Sequence, residues 1–523
     1  MIERVIENWL TNTNERGYQI PFCQYLISMG YTILGMSFHG PMEQGKDIIA
    51  IDEKKIPCAF QLKSGDINEG VWRRIKGEID DLVEIPIKHP SVDKSIKHRC
   101  VLVTNGRITD EVRVDVDDRN ARFKQLGLPE LEIVTGSDLL KRFIDVHGSF
   151  LPRQPTDFRL FLELFLFDGR ELLRKKLFTK FIESVLLTEE EKELDLKRKI
   201  ASSVLLSQYV LQPFESQMNH ISIIEGWTTF CSYVLGLVEK YGLKDESWRQ
   251  SYNIIMGKIN YQLEALKSEF FSRKNYIEGY WDGGLFYRSR MTIVLGWLSA
   301  FELFNKQIDS GYEIDNRILK SVSKYYKVAT WFWGESATPL FVMMSLLTHE
   351  HGETSLSNKI ICDLIIDITS ENRFRDGDGL PDPYYSVNHV IRHFYGSRKQ
   401  RIDMSSFLGS SYHLAALVDI LVRRNKRDLL GELWKHVSHI QTSELNPSPL
   451  WKSFMWRCDK GEQVEKFYKN PQSWKELREE SMKSSDLDLP RTLAKNPFSH
   501  YFLICYPHRL NRHMAKLIDR SLE

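Results

Sequence analysis

The sequence predicts an α/β domain over residues 1–150, a mixed central sheet flanked by helices, followed by a large all-α region. Three observations predict it. Up to residue 150, short β-type apolar runs alternate with helical ones. At "LPRQPTDF", residues 151–158, two prolines within four residues make a linker. Over 159–523 the strand signal nearly disappears, and apolar residues recur at three- and four-residue spacing, as in packed amphipathic helices. A break near 371–386 is expected to divide this region.

Taken in order, "IERVIENWL" and "IPFCQYLISMG" read as helices, and "YTILGMSF", "DIIAID" and "CAFQLK" as strands. "VWRRIKGEIDDLVE" reads as a helix, "RCVLVTN" as a strand, "DEVRVDVDDRNARFKQLG" as a helix, "LEIVTG" as a strand and "SDLLKRFID" as a helix. The turn of the hairpin falls at Glu53, Lys54 and Lys55. Counting back from it by equal steps sets Asp47 opposite Gln61, on one face of the sheet. Strand alternation adds Lys63 to that face and turns Phe60 and Leu62 to the other. Three polar side chains then converge where the surrounding residues are oily, which is costly unless something satisfies them.

Composition narrows the classes. The 523 residues exceed one ordinary domain, and a net charge of +1 gives the whole chain no electrostatic steering toward nucleic acid. The 7 cysteines are scattered without a CxxC pair, which points to reduced thiols in a cytoplasmic setting. The amino terminus lacks the apolar core of a signal peptide, and "LFLELFLF" is too short and too charged to span a bilayer, so no membrane association is expected. No Walker loop, nucleophile elbow, HExxH or GxGxxG fingerprint occurs.

Asp47, Gln61 and Lys63 suit phosphodiester hydrolysis. Asp47 supplies a carboxylate and Gln61 an amide oxygen for a hard cation, and Lys63 offsets charge at the transition state. The pattern resembles the PD-(D/E)xK nuclease superfamily in its QxK variant, that of Mrr-like restriction endonucleases and Cap4-type defence nucleases. The resemblance spans residues 17–145: "GYQIPFCQYLISMGY" as first helix, "GKDIIAID…CAFQLK" as core hairpin and "RCVLVTNGRITDEVR" as following strand and turn. It implies a restriction-endonuclease-like fold and a Mg²⁺- or Mn²⁺-dependent DNA endonuclease. It also implies an antiphage effector role, restrained by homo-oligomerisation, a partner or a phage-derived trigger acting through the helical region. The family places a metal-binding Glu in the first helix. The matching stretch offers Gln19, Cys23 and Gln24, so Glu7 or Glu43 is the substitute, with Glu43 the nearer in sequence. Two other readings share these residues: a degenerate nuclease fold serving as a DNA- or protein-binding scaffold, and a repair or junction-resolving nuclease.

Arg73, Arg74 and Lys76, on the helix after Lys63, are candidates for gripping phosphates, against the alternative of a solvated, ion-paired face. Asn105, in "TNG" at the end of a strand, is either near the site or part of a turn. "RHFYGSRKQR" and "RRNKR" add basic clusters with aromatics, which suit either nucleotide stacking or basic helix ends.

Overall fold

The structure, a computed structural model, describes residues 2–36, 45–89, 91–92, 96–148, 155–187, 193–272, 284–396, 402–404, 408–458, 461–483, 489–494 and 496–519. Two compact units emerge: Met1–Val234 with Leu243–Tyr261, and Leu235–Gly242 with Gln262–Glu523. The first unit thus runs well beyond the expected boundary at residue 150, because helices that follow the sheet pack back onto it.

The first unit opens with α1 (Ile2–Asn12) and α2 (Glu15–Ser28), followed by β1 (Thr32–Met36), β2 (Ile48–Ile51) and β3 (Pro57–Lys63). Then come α3 (Glu69–Glu84), β4 (Arg99–Thr104), α4 (Asp110–Gln125), β5 (Leu131–Val134) and α5 (Gly136–Gly148). The strands form one sheet in the order β1-β2-β3-β4-β5. β1, β2 and β3 are antiparallel neighbours, whereas β4 and β5 run parallel to β3, so the sheet is mixed. The hairpin pairs Ile48 with Phe60 and Ile51 with Pro57, the register that equal counting from the turn requires.

Alternation along β3 divides its side chains. Ala59 joins Trp72, Ile75, Ile79 and Leu82 of α3 and Val112 and Val116 of α4 in one apolar core. Phe60 faces α2, its ring edge-on to Phe22 at 5.3 Å. The Tyr18 hydroxyl on α2 donates to the Lys63 carbonyl at 2.7 Å and lies 3.2 Å from that of Val103, tying the ends of β3 and β4 together.

Further helices belong to this unit: α6 (Pro155–Phe165), α7 (Lys175–Leu186), α8 (Glu193–Ser216), most of α9 (His220–Tyr241) and the first part of α10 (Asp245–Ser272). Trp9 of α1 packs on Tyr209 of α8 with ring centroids 4.3 Å apart, and Gln212 donates to the Thr13 hydroxyl at 3.0 Å. Ser251 of α10 donates to the buried Gln24 amide oxygen at 2.8 Å. All three side chains in the first-helix stretch where an acid was sought, Gln19, Cys23 and Gln24, are buried. α9 is long and apolar enough to cross a membrane, but 89% of its apolar window is buried in the protein, as in a core helix.

The second unit is mostly helical but not all-helical, which corrects the expectation from sequence. Three strands, β6 (Ser410–Ser411), β7 (Gln441–Pro447) and β8 (Gly461–Phe467), form a small mixed sheet. "QTSELNP" shows no apolar alternation because its buried positions are the polar Thr442 and Glu444, and "GEQVEKF" because β8 exposes most of its length to solvent. The 371–386 stretch lies inside this unit, where the Asn372 side chain bonds Leu380 N and the Ser410 carbonyl.

Candidate active site

The site forms where β2 stops and β3 continues. The Asp47 N–H donates to the Phe60 carbonyl at 2.9 Å, one residue out of the hairpin register, so the two backbones separate here. The Leu62 N–H thereby loses a backbone acceptor, and Asp47 Oδ2 takes it at 2.6 Å. One oxygen of the carboxylate therefore caps the hairpin. Flanking contacts hold the segment: the Lys46 ammonium donates to the Asp81 carbonyl at 3.1 Å, and Gln19 Nε2 to the Asp47 carbonyl at 3.4 Å. Burial pushes the Asp47 carboxyl up to about 6, against the Leu62 hydrogen bond and the Lys63 charge, which favour the ionised form, and Glu15 raises it further.

Gln61 and Lys63 share the α3 face of β3, and both reach Glu78 on α3. Lys63 Nζ lies 2.5 Å from Glu78 Oε2, and Gln61 Nε2 donates to the same oxygen at 3.3 Å. Because a carboxylate only accepts, the Gln61 amide nitrogen must face Glu78. Its carbonyl oxygen, Oε1, is left buried without a hydrogen-bond partner. Such an orphaned acceptor costs folding free energy, roughly 1–3 kcal/mol, and invites an electrophile.

Glu15 was missed from sequence. The sequence pattern places this helix over "IPFCQYLISMG", from Ile20, which leaves Glu15 outside it. The helix instead starts at Glu15, capped by Asn14, whose side chain accepts from Gly17 N, and Pro21 lies inside it. That start sets the Glu15 carboxylate beside the end of β3, where it accepts from Ser64 N at 3.3 Å. The Asn-Glu pair of a helix start, 14 and 15, was the available signal. Glu7 lies on the exposed side of α1, and Glu43 lies outside the described residues.

The remaining candidates separate. Arg73 pairs with Glu69 on its own helix, and Lys76 with Asp115 of α4 at 3.0 Å. Arg74 is exposed and stands one turn before Glu78 on the same helix face. Asn105 spends its whole amide internally: Nδ2 donates to the Leu10 and Thr13 carbonyls at 2.6 and 2.8 Å, and Oδ1 accepts from Gly65 N at 2.7 Å. In "RRNKR", Arg424 is buried against Asp519 at 3.1 Å and Arg423 against Asp419 at 3.0 Å, a structural role for both.

For a hard cation, the chemistry of the donors fits. Asp47 offers a carboxylate and Gln61 an unpartnered amide oxygen, while Glu15 and Glu78 stand on the helices either side of β3. Among the described residues no three His, Cys, Asp or Glu side chains cluster as a ready-made metal site. A Mg²⁺ site with few protein ligands does not need three, because water completes its octahedron. Compared with protein-family models, with curated proteins and with solved structures, the chain matches none of them.

Proposed function

We propose that this chain is a metal-dependent endonuclease that hydrolyses phosphodiester bonds in DNA at the Asp47, Gln61 and Lys63 site. What supports this reading is that the Asp47 carboxylate accepts from Leu62 N, between Gln61 and Lys63, while Gln61 and Lys63 both reach Glu78 and the Gln61 carbonyl oxygen is buried and unpartnered. The order helix, strand, Asp47, strand, Gln61 and Lys63, helix, strand also supports the resemblance to the PD-(D/E)xK superfamily.

In the reaction a water oxygen bonds to phosphorus and gives up a proton to solvent, while the bond to the sugar oxygen breaks and that oxygen takes a proton from solvent. Asp47 and Gln61 would hold the divalent cation, which would supply polarisation of the phosphoryl group and acidification of water. Lys63 brings a positive charge to the equatorial oxygens as they gain charge in the transition state. Tyr18 holds the Lys63 backbone, so the ammonium swings from a fixed base. Arg74, one turn before Glu78, is the candidate for gripping a neighbouring phosphate without reading a base.

The second reading, a scaffold on a nuclease fold, is favoured by two contacts: Asp47 already caps Leu62 N, and Lys63 is already neutralised by Glu78. Plasmid cleavage by the full chain in Mg²⁺ and in Mn²⁺, with Lys63→Ala alongside, tests the choice. Cleavage lost in the variant supports the nuclease. No cleavage by the wild type, together with no Mn²⁺ binding sensitive to Asp47→Ala, supports the scaffold.

A further inference from the structure

We propose that Glu78 is a second carboxylate of the site, shared between Lys63 and the divalent cation. Cation binding at Asp47 and Gln61 then draws Glu78 off Lys63 and leaves the ammonium for the substrate phosphate. This inference rests on the nuclease reading and adds the residue that couples cation binding to the state of Lys63.

Four observations carry it. A single oxygen, Glu78 Oε2, meets both Lys63 at 2.5 Å and Gln61 at 3.3 Å, so the carboxylate is centred on two of the three core groups. The amide that it contacts is the one whose other end, Oε1, is buried and unpartnered, so a cation at Oε1 is a close neighbour of Glu78. Gly45 brings the remaining group near: its φ is +70°, and a Cβ there would lie 2.4 Å from the Glu78 carbonyl oxygen. Only bare backbone fits at that distance, so the segment leading into Asp47 lies directly on α3 at Glu78. Finally, the Glu78 side chain is 48% exposed, so its carboxylate can change partner without unpacking α3. Trp72, Ile75, Ile79 and Leu82 hold that helix in place.

The energetics favour exchange. A half-exposed ion pair contributes little to stability, so giving it up costs little. A dication attracts the same carboxylate more strongly than a monovalent ammonium at equal distance. Lys63 and the cation therefore compete for Glu78, and removing either competitor should tighten the hold of the other.

Calorimetric titration of the full chain with Mn²⁺ tests this without reference to turnover, using wild type, Asp47→Ala, Glu78→Gln, Glu78→Asp and Lys63→Met. The expected result is binding abolished by Asp47→Ala, weakened about tenfold by Glu78→Gln, largely kept by Glu78→Asp and tightened severalfold by Lys63→Met. Thermal unfolding of each variant checks that it is folded, and the charge-preserving Glu78→Asp covers the case in which Glu78→Gln is not. Asp47-dependent binding that Glu78→Gln leaves unchanged, or that Lys63→Met weakens, overturns the role of Glu78 and leaves the nuclease reading standing. Absence of Asp47-dependent binding in the wild type overturns both.

Discussion

Two buried carboxylates, one in each unit, invite comparison. Asp47 is 9% exposed and pushed up to about 6, while Glu335, in the second unit, is 2% exposed and pushed up to about 8; burial is the main cause in both. By perturbation alone, Glu335 would be the better functional candidate. Its surroundings say otherwise. Oε2 of Glu335 accepts from Tyr412 N and His413 N, each at 2.9 Å, and so fixes the segment that leads into the helix Leu414–Arg423. His413, driven down to about 4 by burial, is itself anchored through Nε2 to the Pro507 carbonyl at 2.8 Å.

The cations contrast in the same way. Lys267 sits between Glu302 at 2.9 Å and Asp315 at 3.3 Å, and Glu302 is fully enclosed, accepting also from Asp315 N. Lys63 meets a carboxylate that is half in solvent, beside an acceptor with no partner. Burial shifts protonation in either setting. An orphaned acceptor does not separate the two settings, because His413 Nδ1, 3.5 Å from Glu335 Oε2, also lacks a hydrogen-bond partner. The difference is that the Lys63 partner, Glu78, is half in solvent and free to change partner, whereas Glu335 and Glu302 are enclosed.

The largest expected difference is in turnover. Lys63→Ala should lower plasmid cleavage by about 10²–10³-fold, a loss typical of one transition-state charge contact, while Glu335→Gln should leave the rate within about twofold. Equal losses in the two variants would break the comparison.

Stability should respond in the opposite sense. Glu335→Ala takes the acceptor from Tyr412 N and leaves His413 N only the Ser411 hydroxyl at 3.2 Å, and should cost about 1–3 kcal/mol in urea unfolding. Glu78→Ala, which removes a half-exposed pair, should cost less than about 1 kcal/mol in the same measurement.

A third test uses pH. The folded form holds the Asp47 proton more tightly than the unfolded chain does, so this residue's contribution is most favourable below the ordinary aspartate value. It is lost as pH rises through about 6. Asp47→Asn should remove that loss, raising stability at pH 8 by on the order of 2 kcal/mol relative to wild type while abolishing cleavage. Thermal unfolding at pH 5 and pH 8 reads the difference, and a variant less stable at pH 8 would contradict it.

The smallest effect belongs to Arg74. Arg74→Ala should weaken duplex binding less than tenfold and reduce the salt dependence by about one counterion. Lys76→Ala, which breaks the Asp115 pair instead, should leave that slope unchanged.

Much of the site was legible because a hairpin is arithmetic. Apolar alternation and a charged turn fix the register, and the structure turns at Asp52–Lys55, with Lys55 N donating to the Asp52 carbonyl at 3.0 Å. The carboxylates supplied by helices were not legible. Glu15 lies outside the stretch read as helix from the sequence, "IPFCQYLISMG", and Glu78 is one of several acids on an amphipathic helix. Its special position depends on Gly45 pressing a distant segment against α3. The strands β7 and β8 escaped notice because pairing makes them, rather than an apolar face.

The packing of α8 and α10 onto the first helices decides how this protein should be taken apart. A fragment ended at the proline-rich stretch of 151–158 would strip Tyr209 from Trp9, Gln212 from Thr13 and Ser251 from Gln24. The helix that carries Glu15 would lose its backing, and an inactive fragment would report a damaged core. Dissection should keep residues through Tyr261 together, so that a gain of cleavage in the shorter protein can be credited to the loss of what lies beyond.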